Sequence, residues 1–350
     1  MNRKLVAVAL GAVLLVAGGG LYATGTVDEW QAKRSLDDAC DGIVSLASAR
    51  TLLGERGVRA RQLPLEGDAP SETLTNCRVK SADRFPGFRL RVSKGERNLW
   101  ILREIRHYLL QASSASSAPI GEGWPGVVTE GGDLFTHVTL ALSCGDGRAE
   151  YLWVQGEGYA VMSPGFREEG RRLALSRIVT AAAKEAGRKW GCDVPTGTPP
   201  AELVPSANYA DPVGLAAASG TCSGAGAVAE VAAQAGLRRV LEAPTNPDTP
   251  VEDCFLLNES GEKVLRFSSF FGAFTDTYRV GGLQRSQPEG SDDGLRWKSS
   301  ECRSGHEGLH VLATLEAESG EAGPELQEAL LTALAADAAE RKNCAVASAP

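Results

Sequence analysis

Arg188-Lys189-Trp190-Gly191-Cys192 closes one long helical pattern in this chain, and Arg341-Lys342-Asn343-Cys344 closes another. In the first, Leu175, Ile178, Val179, Ala182 and Ala186 recur at helical spacing; in the second, Leu326, Leu330, Leu331 and Leu334 do so. Pro324 sits where a first helical turn tolerates it. Basic residues crowd each last turn, where the helix dipole favours cations, and a cysteine follows at once. Two such endings point to a duplicated unit.

The rest of the chain supports that division. The eight cysteines fall into two sets of four: Cys40, Cys77, Cys144 and Cys192, then Cys222, Cys254, Cys302 and Cys344. Gly54 lies fourteen residues after Cys40 and Gly236 fourteen after Cys222, each ending an alanine-rich helical pattern as a glycine C-cap would. Between the helices both halves read as strands. Asn76–Ser81 and Phe88–Val92 match Asp253–Leu257 and Lys263–Ser268, while His137–Ser143 and Glu150–Gln155 match Leu295–Ser300 and Leu309–Leu315. The first copy adds a helical pattern, Glu96–Gln111, and a Ser/Ala-rich loop, Ala112–Ala118. The expected fold class is α+β: two repeated domains, each an antiparallel sheet packed on helices and closed by disulfides. The expected boundaries are 28–193 for the first domain, 194–219 for a Pro/Ala/Gly-rich linker and 220–350 for the second.

Residues 1–27 read as a short cytoplasmic tail and a transmembrane anchor. Residues 5–23 are uncharged and apolar, about the ~20 residues that cross a bilayer. Arg3 and Lys4 precede them and Asp28 and Glu29 follow, which places the N-terminus in the cytoplasm and the domains outside. A cleaved signal peptide is the competing expectation. An even number of cysteines outside the apolar run fits an oxidising compartment. Four cysteines allow three pairings per copy. Neighbours are favoured (Cys40–Cys77, Cys144–Cys192, Cys222–Cys254 and Cys302–Cys344) because each pair then ties a helix to an adjacent strand in both copies. The closed loops would each contribute about 3–4 kcal/mol in the chain-entropy model.

With its anchor, duplicated halves and paired cysteines, the chain resembles the uncharacterised membrane-anchored extracellular proteins of actinobacteria, which carry duplicated four-cysteine α+β domains. The resemblance covers the architecture of the whole chain and implies no particular activity.

Composition narrows the function. Of 350 residues, 43% are apolar and 23% charged, so a packed core is affordable and general disorder is excluded. A net charge of -8 argues against nucleic acid as a partner. The second half carries the acidity, with the first near neutral. Within the first, Arg84, Arg89, Arg91, Lys94, Arg97, Arg103 and Arg106 cluster against only Glu96 and Glu104. Such a stretch is a candidate surface for an anionic cell-envelope polymer, a lipid head group or a partner protein.

His306-Glu307-Gly308-Leu309-His310 imitates a zinc-protease motif, but that chemistry needs a helix to bring both histidines to one metal. Gly305, Gly308 and the strand-like Leu309–Leu315 argue for a turn and strand instead, so substitution of either histidine is expected to be silent. No catalytic residue, metal ligand or cofactor is assigned. The function expected is a membrane-anchored extracytoplasmic binding module. An exported hydrolase with an unrecognised site is the alternative.

Overall fold

The computed structural model describes residues 26–346 apart from 56, 66–70, 82–86, 96–114, 132–134, 146–149, 160–164, 195–196, 281–286, 293, 304 and 316–321. Residues 5–23 lie outside the described residues, as does the Glu96–Gln111 pattern. Among the described residues no helix is long and apolar enough to cross a membrane.

The chain is α+β, with two antiparallel sheets and four disulfides. The first half contains α1 (Thr26–Ala39), α2 (Leu46–Leu53), β1 (Arg59–Gln62), β2 (Ser71–Lys80), β3 (Gly87–Gly95), β4 (Ala115–Pro119), β5 (Gly126–Gly131), β6 (Phe135–Ser143), β7 (Tyr151–Tyr159) and the long α3 (Glu169–Trp190). The second contains β8 (Val213–Gly214), α4 (Ala229–Gln234), β9 (Arg239–Glu242), β10 (Val251–Leu257), β11 (Lys263–Phe271), α5 (Ala273–Val280), β12 (Glu289–Asp292), β13 (Leu295–Cys302), β14 (Glu307–Thr314), α6 (Pro324–Arg341) and β15 (Cys344–Val346).

The sheets run β1-β2-β3-β7-β6-β5-β4 and β8-β9-β10-β11-β14-β13-β12, with β15 beside β13. Six strands correspond one to one: β1-β2-β3-β7-β6-β5 and β9-β10-β11-β14-β13-β12. The closing helices correspond too. Gly191 caps α3 at φ 69°, and Asn343, just before the equivalent cysteine, takes φ 54°. Glycine and asparagine are the residues that tolerate this left-handed position. The bridges are Cys40–Cys77, Cys144–Cys192, Cys222–Cys254 and Cys302–Cys344, the neighbour pairing.

Each sheet buries one face under helices. Phe88, Leu90, Val92, Leu140 and Val154 meet Leu175, Ile178 and Val179 of α3. A side chain at Gly156 would run into Val179, so the glycine lets α3 lie close on β7. In the second half, Cys254, Leu265, Phe267 and Leu312 meet Leu326, Leu330 and Leu334 of α6. A third core joins the two opposite faces: Val127 and Trp153 pack with Val251, Phe270, Phe274, Trp297, Leu309 and Val311. The result is a helix–sheet–sheet–helix stack.

Two sequence expectations change here. The stretch 112–118, expected as a loop, contains most of β4, an edge strand buried along its length. Its Ala and Ser side chains are small enough to lie flush against the second sheet. The stretch 194–219, expected as a linker, adds β8 to the second sheet. Its Ser206 Oγ donates to Glu130 Oε2 (2.6 Å), whose other oxygen meets Arg172 Nε at 2.8 Å. Ala207 packs with Phe255, Leu257 and Leu315.

One buried network fastens the sheets. Asp253 on β10 is fully buried, and its carboxylate meets Arg266 Nη2 at 2.9 Å. It accepts from Arg266 Nε (3.2 Å), from Ser268 Oγ (2.5 Å) and, across the interface, from the Ser117 N–H of β4 (2.7 Å). Removing one member of such a pair strands the other charge, which typically costs about 3–5 kcal/mol. Asp253→Ala should therefore lower unfolding free energy by about that amount in denaturant titrations. Asp253→Leu combined with Arg266→Met should cost less than the single change. A single variant within about 0.5 kcal/mol of the parent would refute the clamp.

Candidate functional site

The described members of the basic stretch do not converge on one open surface. Arg89, Arg91 and Lys94 all lie on β3, where alternation sends Lys94 to the opposite face from the two arginines. Arg91 is buried, Arg89 Nε donates to Asn76 Oδ1 (2.9 Å), and Lys94 pairs with Glu150 at 3.3 Å. Arg84, Arg97, Arg103 and Arg106 lie outside the described residues.

The His306–His310 segment is an exposed turn running into β14. His306 is exposed while His310 is fully buried. Among the described residues no three His, Cys, Asp or Glu side chains gather as a metal site would require. The strand registers show what His310 is. Cys77 pairs with Leu90 and Cys254 with Phe267, which makes Val92 equivalent to Ser269. Val92 faces Val154, and Ser269 faces His310. His310 therefore replaces Val154, further along β7 than the sequence match set it, and Ser300 replaces Leu142. An apolar trio in the first copy has become a polar one in the second. Ser269 Oγ lies 2.8 Å from His310 Nδ1 and Ser300 Oγ 3.0 Å from Nε2, with Phe267 stacked on the ring. Both ring nitrogens are engaged in the core, so the expectation that His310 substitution is silent is corrected.

A concavity lies on the helical face of the first half, a groove of about 530 Å³ that sequence reasoning missed. Leu36 of α1, Ile43 and Val44 of the connecting turn, Leu46 of α2 and Ala181 of α3 form its apolar floor. Lys33, Asp37, Lys184, Glu185 and Arg188 form its rim. Its volume falls in the range of small-ligand sites, roughly 300–1,000 Å³.

The floor is held firmly. Cys40 ends its segment in the bridge to Cys77, and Asp41 and Gly42 follow with φ of 57° and 74°, turning the chain sharply. Asp41 is fixed by Thr75 Oγ1 (2.5 Å) and Lys189 Nζ (3.1 Å). Ser45 then caps α2 by accepting from the Ser48 N–H (3.1 Å). On the rim, Lys184 Nζ donates to the Gly197 carbonyl (2.6 Å) and lies over Trp124. Arg188 pairs with Glu185 at 2.5 Å. The rim carries both signs, which suits an amphipathic ligand better than a purely anionic one. The signal in the sequence was Ile43-Val44 directly after Cys40-Asp41-Gly42, an apolar pair at a turn.

No protein-family model and no curated protein matches the chain. Comparison with solved structures finds the di-domain ARO/CYC StfQ from the steffimycin biosynthetic pathway, 12% identical over 89% of this chain and 90% of that one. Its TM-score of 0.15 carries no argument for fold or chemistry.

His310 makes the fold sensitive to acid. Burial, with Arg341 adding to it, pushes His310 down from 6.5 to about 3, and burial pushes His137 down to about 4. Unfolded histidines take a proton near 6.5, so below that pH the unfolded chain binds more protons than the folded one. Stability present above the unfolded value is lost as pH falls toward the folded values. His310→Gln should flatten this dependence by up to one proton, about 1.4 kcal/mol per pH unit. Urea titrations between about pH 7 and about pH 4.5 would show it. An unchanged slope in the variant would contradict the assignment.

Proposed function

We propose that this chain is a membrane-anchored extracytoplasmic binding module, held in the bilayer by residues 5–23, that takes its ligand in the groove between α1, the 42–46 turn and α3. The groove carries the reading: an apolar floor, a rim of both charges and a frame fixed by a disulfide and the Asp41 contacts. Preorganisation of this kind lowers the cost of ordering a site on binding. Two further features support it. All eight cysteines are paired, which fits an oxidising compartment. The one His-x-x-x-His sequence is spent on a turn and a core position.

The ligand class that fits is an amphipathic segment of a partner protein or envelope polymer, its apolar part over Ile43 and Leu46 and its charges on the rim.

Protease applied to intact protoplasts should digest the chain from Asp28 onward, and detergent should be needed to extract it. Recovery from the medium of a chain beginning near Thr26 would remove the anchor from the proposal. For the groove, Lys33→Glu with Leu46→Glu should abolish recovery of crosslinked partners from cells while the purified variant still unfolds in one cooperative thermal transition. An unchanged set of partners would rule the groove out as the binding surface.

A further inference from the structure

The four disulfides differ in access. Cys40, Cys77, Cys222 and Cys254 have no exposure, and Cys144 and Cys192 are buried. Cys302 and Cys344 alone are both partly exposed. Cys344 also lines a cleft of about 450 Å³ with Glu301, Arg303, Ala339, Glu340 and Asn343.

This bridge has an internal control. Cys144–Cys192 is its counterpart in the first copy, joining the end of β6 to the residues after α3. There, Lys189 reaches across to the Asp41 carbonyl (2.9 Å) and Trp190 packs against the first core. In the second copy Arg341 keeps that reach, donating to Ser223 Oγ (3.2 Å), but Lys342 stands in place of Trp190 and turns to the carbonyls of Asn246, Pro247 and Thr249 at 2.9, 2.7 and 2.8 Å. Asn343, in place of Gly191, is exposed. The same bridge is buried in one copy and partly exposed in the other.

The bridge also has something to release. Cys302 and Cys344 are directly opposed on β13 and β15, and among the described residues β15 pairs with β13 through Ser300–Val346, Glu301–Ala345 and the two cysteines. Ala345 and Val346 form part of the cleft wall.

We propose that Cys302–Cys344 is a thiol–disulfide exchange site, opened by a dithiol reductant while the other three bridges stay closed. A thiolate of the reductant attacks the Cys344 sulfur; the S–S bond breaks and its electron pair leaves on Cys302. The second thiol of the reductant then displaces Cys344 from the mixed disulfide. The reductant ends as its own disulfide, and its two protons end on the two cysteines. Attack depends on access to a sulfur, and exposed bridges are the labile ones. Freed of the cross-link, β15 keeps its short ladder to β13 and its contact with α6, and its departure opens the cleft.

The test uses the full chain and dithiothreitol as the dithiol, with timed alkylation and peptide mapping. Cys302 and Cys344 should be alkylated at least about tenfold faster than the other six, while the far-ultraviolet circular dichroism stays constant. Alkylation of Cys144 and Cys192 first, or of all eight together as the dichroism collapses, would overturn the proposal. A Cys302→Ser, Cys344→Ser double variant should lack the fast phase and leave the other six rates unchanged. Should that variant not fold, the order of alkylation in the parent chain still decides.

Discussion

The Asp253 carboxylate has no contact with water, and the arrangement of the two sheets depends on it. A carboxylate taken into the interior costs several kcal/mol unless its oxygens are paired. Here the donors come from three places: Arg266 and Ser268 on the neighbouring β11, and the Ser117 amide on β4 of the other sheet. All must be in position together. That requirement fixes the β10–β11 register and brings the first sheet's edge strand against the second sheet. The apolar contact then follows, with Trp153 edge-on to Phe274 at 5.4 Å and Val127 among the aliphatic residues of β14. With the inner faces committed to each other, the helices belong on the outside, and so do the grooves.

What the sequence showed and what it hid divide along this line. The closing helices, their left-handed caps and the cysteine pairs are local features, written at fixed spacing around Cys192 and Cys344. The strands of both halves were legible for the same reason. The packing of one sheet on the other was not. Thr139, Ser93, Gln155 and Asn76 alternate with apolar residues as they would on a sheet with one face in water, yet they are buried. Period-two alternation marks the helix-facing side of a strand but says nothing of what covers the other side. β4 was hidden for a related reason. Ala115-Ser116-Ser117-Ala118 has the composition of a loop, and its ladder to β5, with the Ser117 amide on Asp253, makes it a strand.

Duplication has let the copies diverge at equivalent points. Where the first copy packs Val92, Val154 and Leu142 together, the second sets Ser269, His310 and Ser300. The sheet there carries a closed polar trio under α6 instead of aliphatic contacts. A partly satisfied buried network is worse than an apolar core, so the three changes make sense only as a set. The resemblance of His306-Glu307-Gly308-Leu309-His310 to a metal motif is thus a by-product of core repair at one position and a turn at the other.

The helical layers have diverged in the same way. The first copy's outer layer is an α1–α2 pair that leaves a groove beside α3. In the second copy the layer before the sheet is a 3₁₀ turn, Ser223–Val228, followed by the short α4. Gly224 of that turn approaches α6 so closely that a side chain there would come within 2.6 Å of the Ala333 carbonyl. Ser223 Oγ (2.6 Å) and the Gly224 N–H (3.1 Å) both donate to Asp337 on the same helix. Contact this tight leaves no room for a groove. At the end of α6 the contact of the first copy is kept, Arg341 donating to Ser223 Oγ (3.2 Å) as Lys189 donates to Asp41. The change that closes the groove is thus confined to the body of the turn, held against α6 at Ala333 and Asp337.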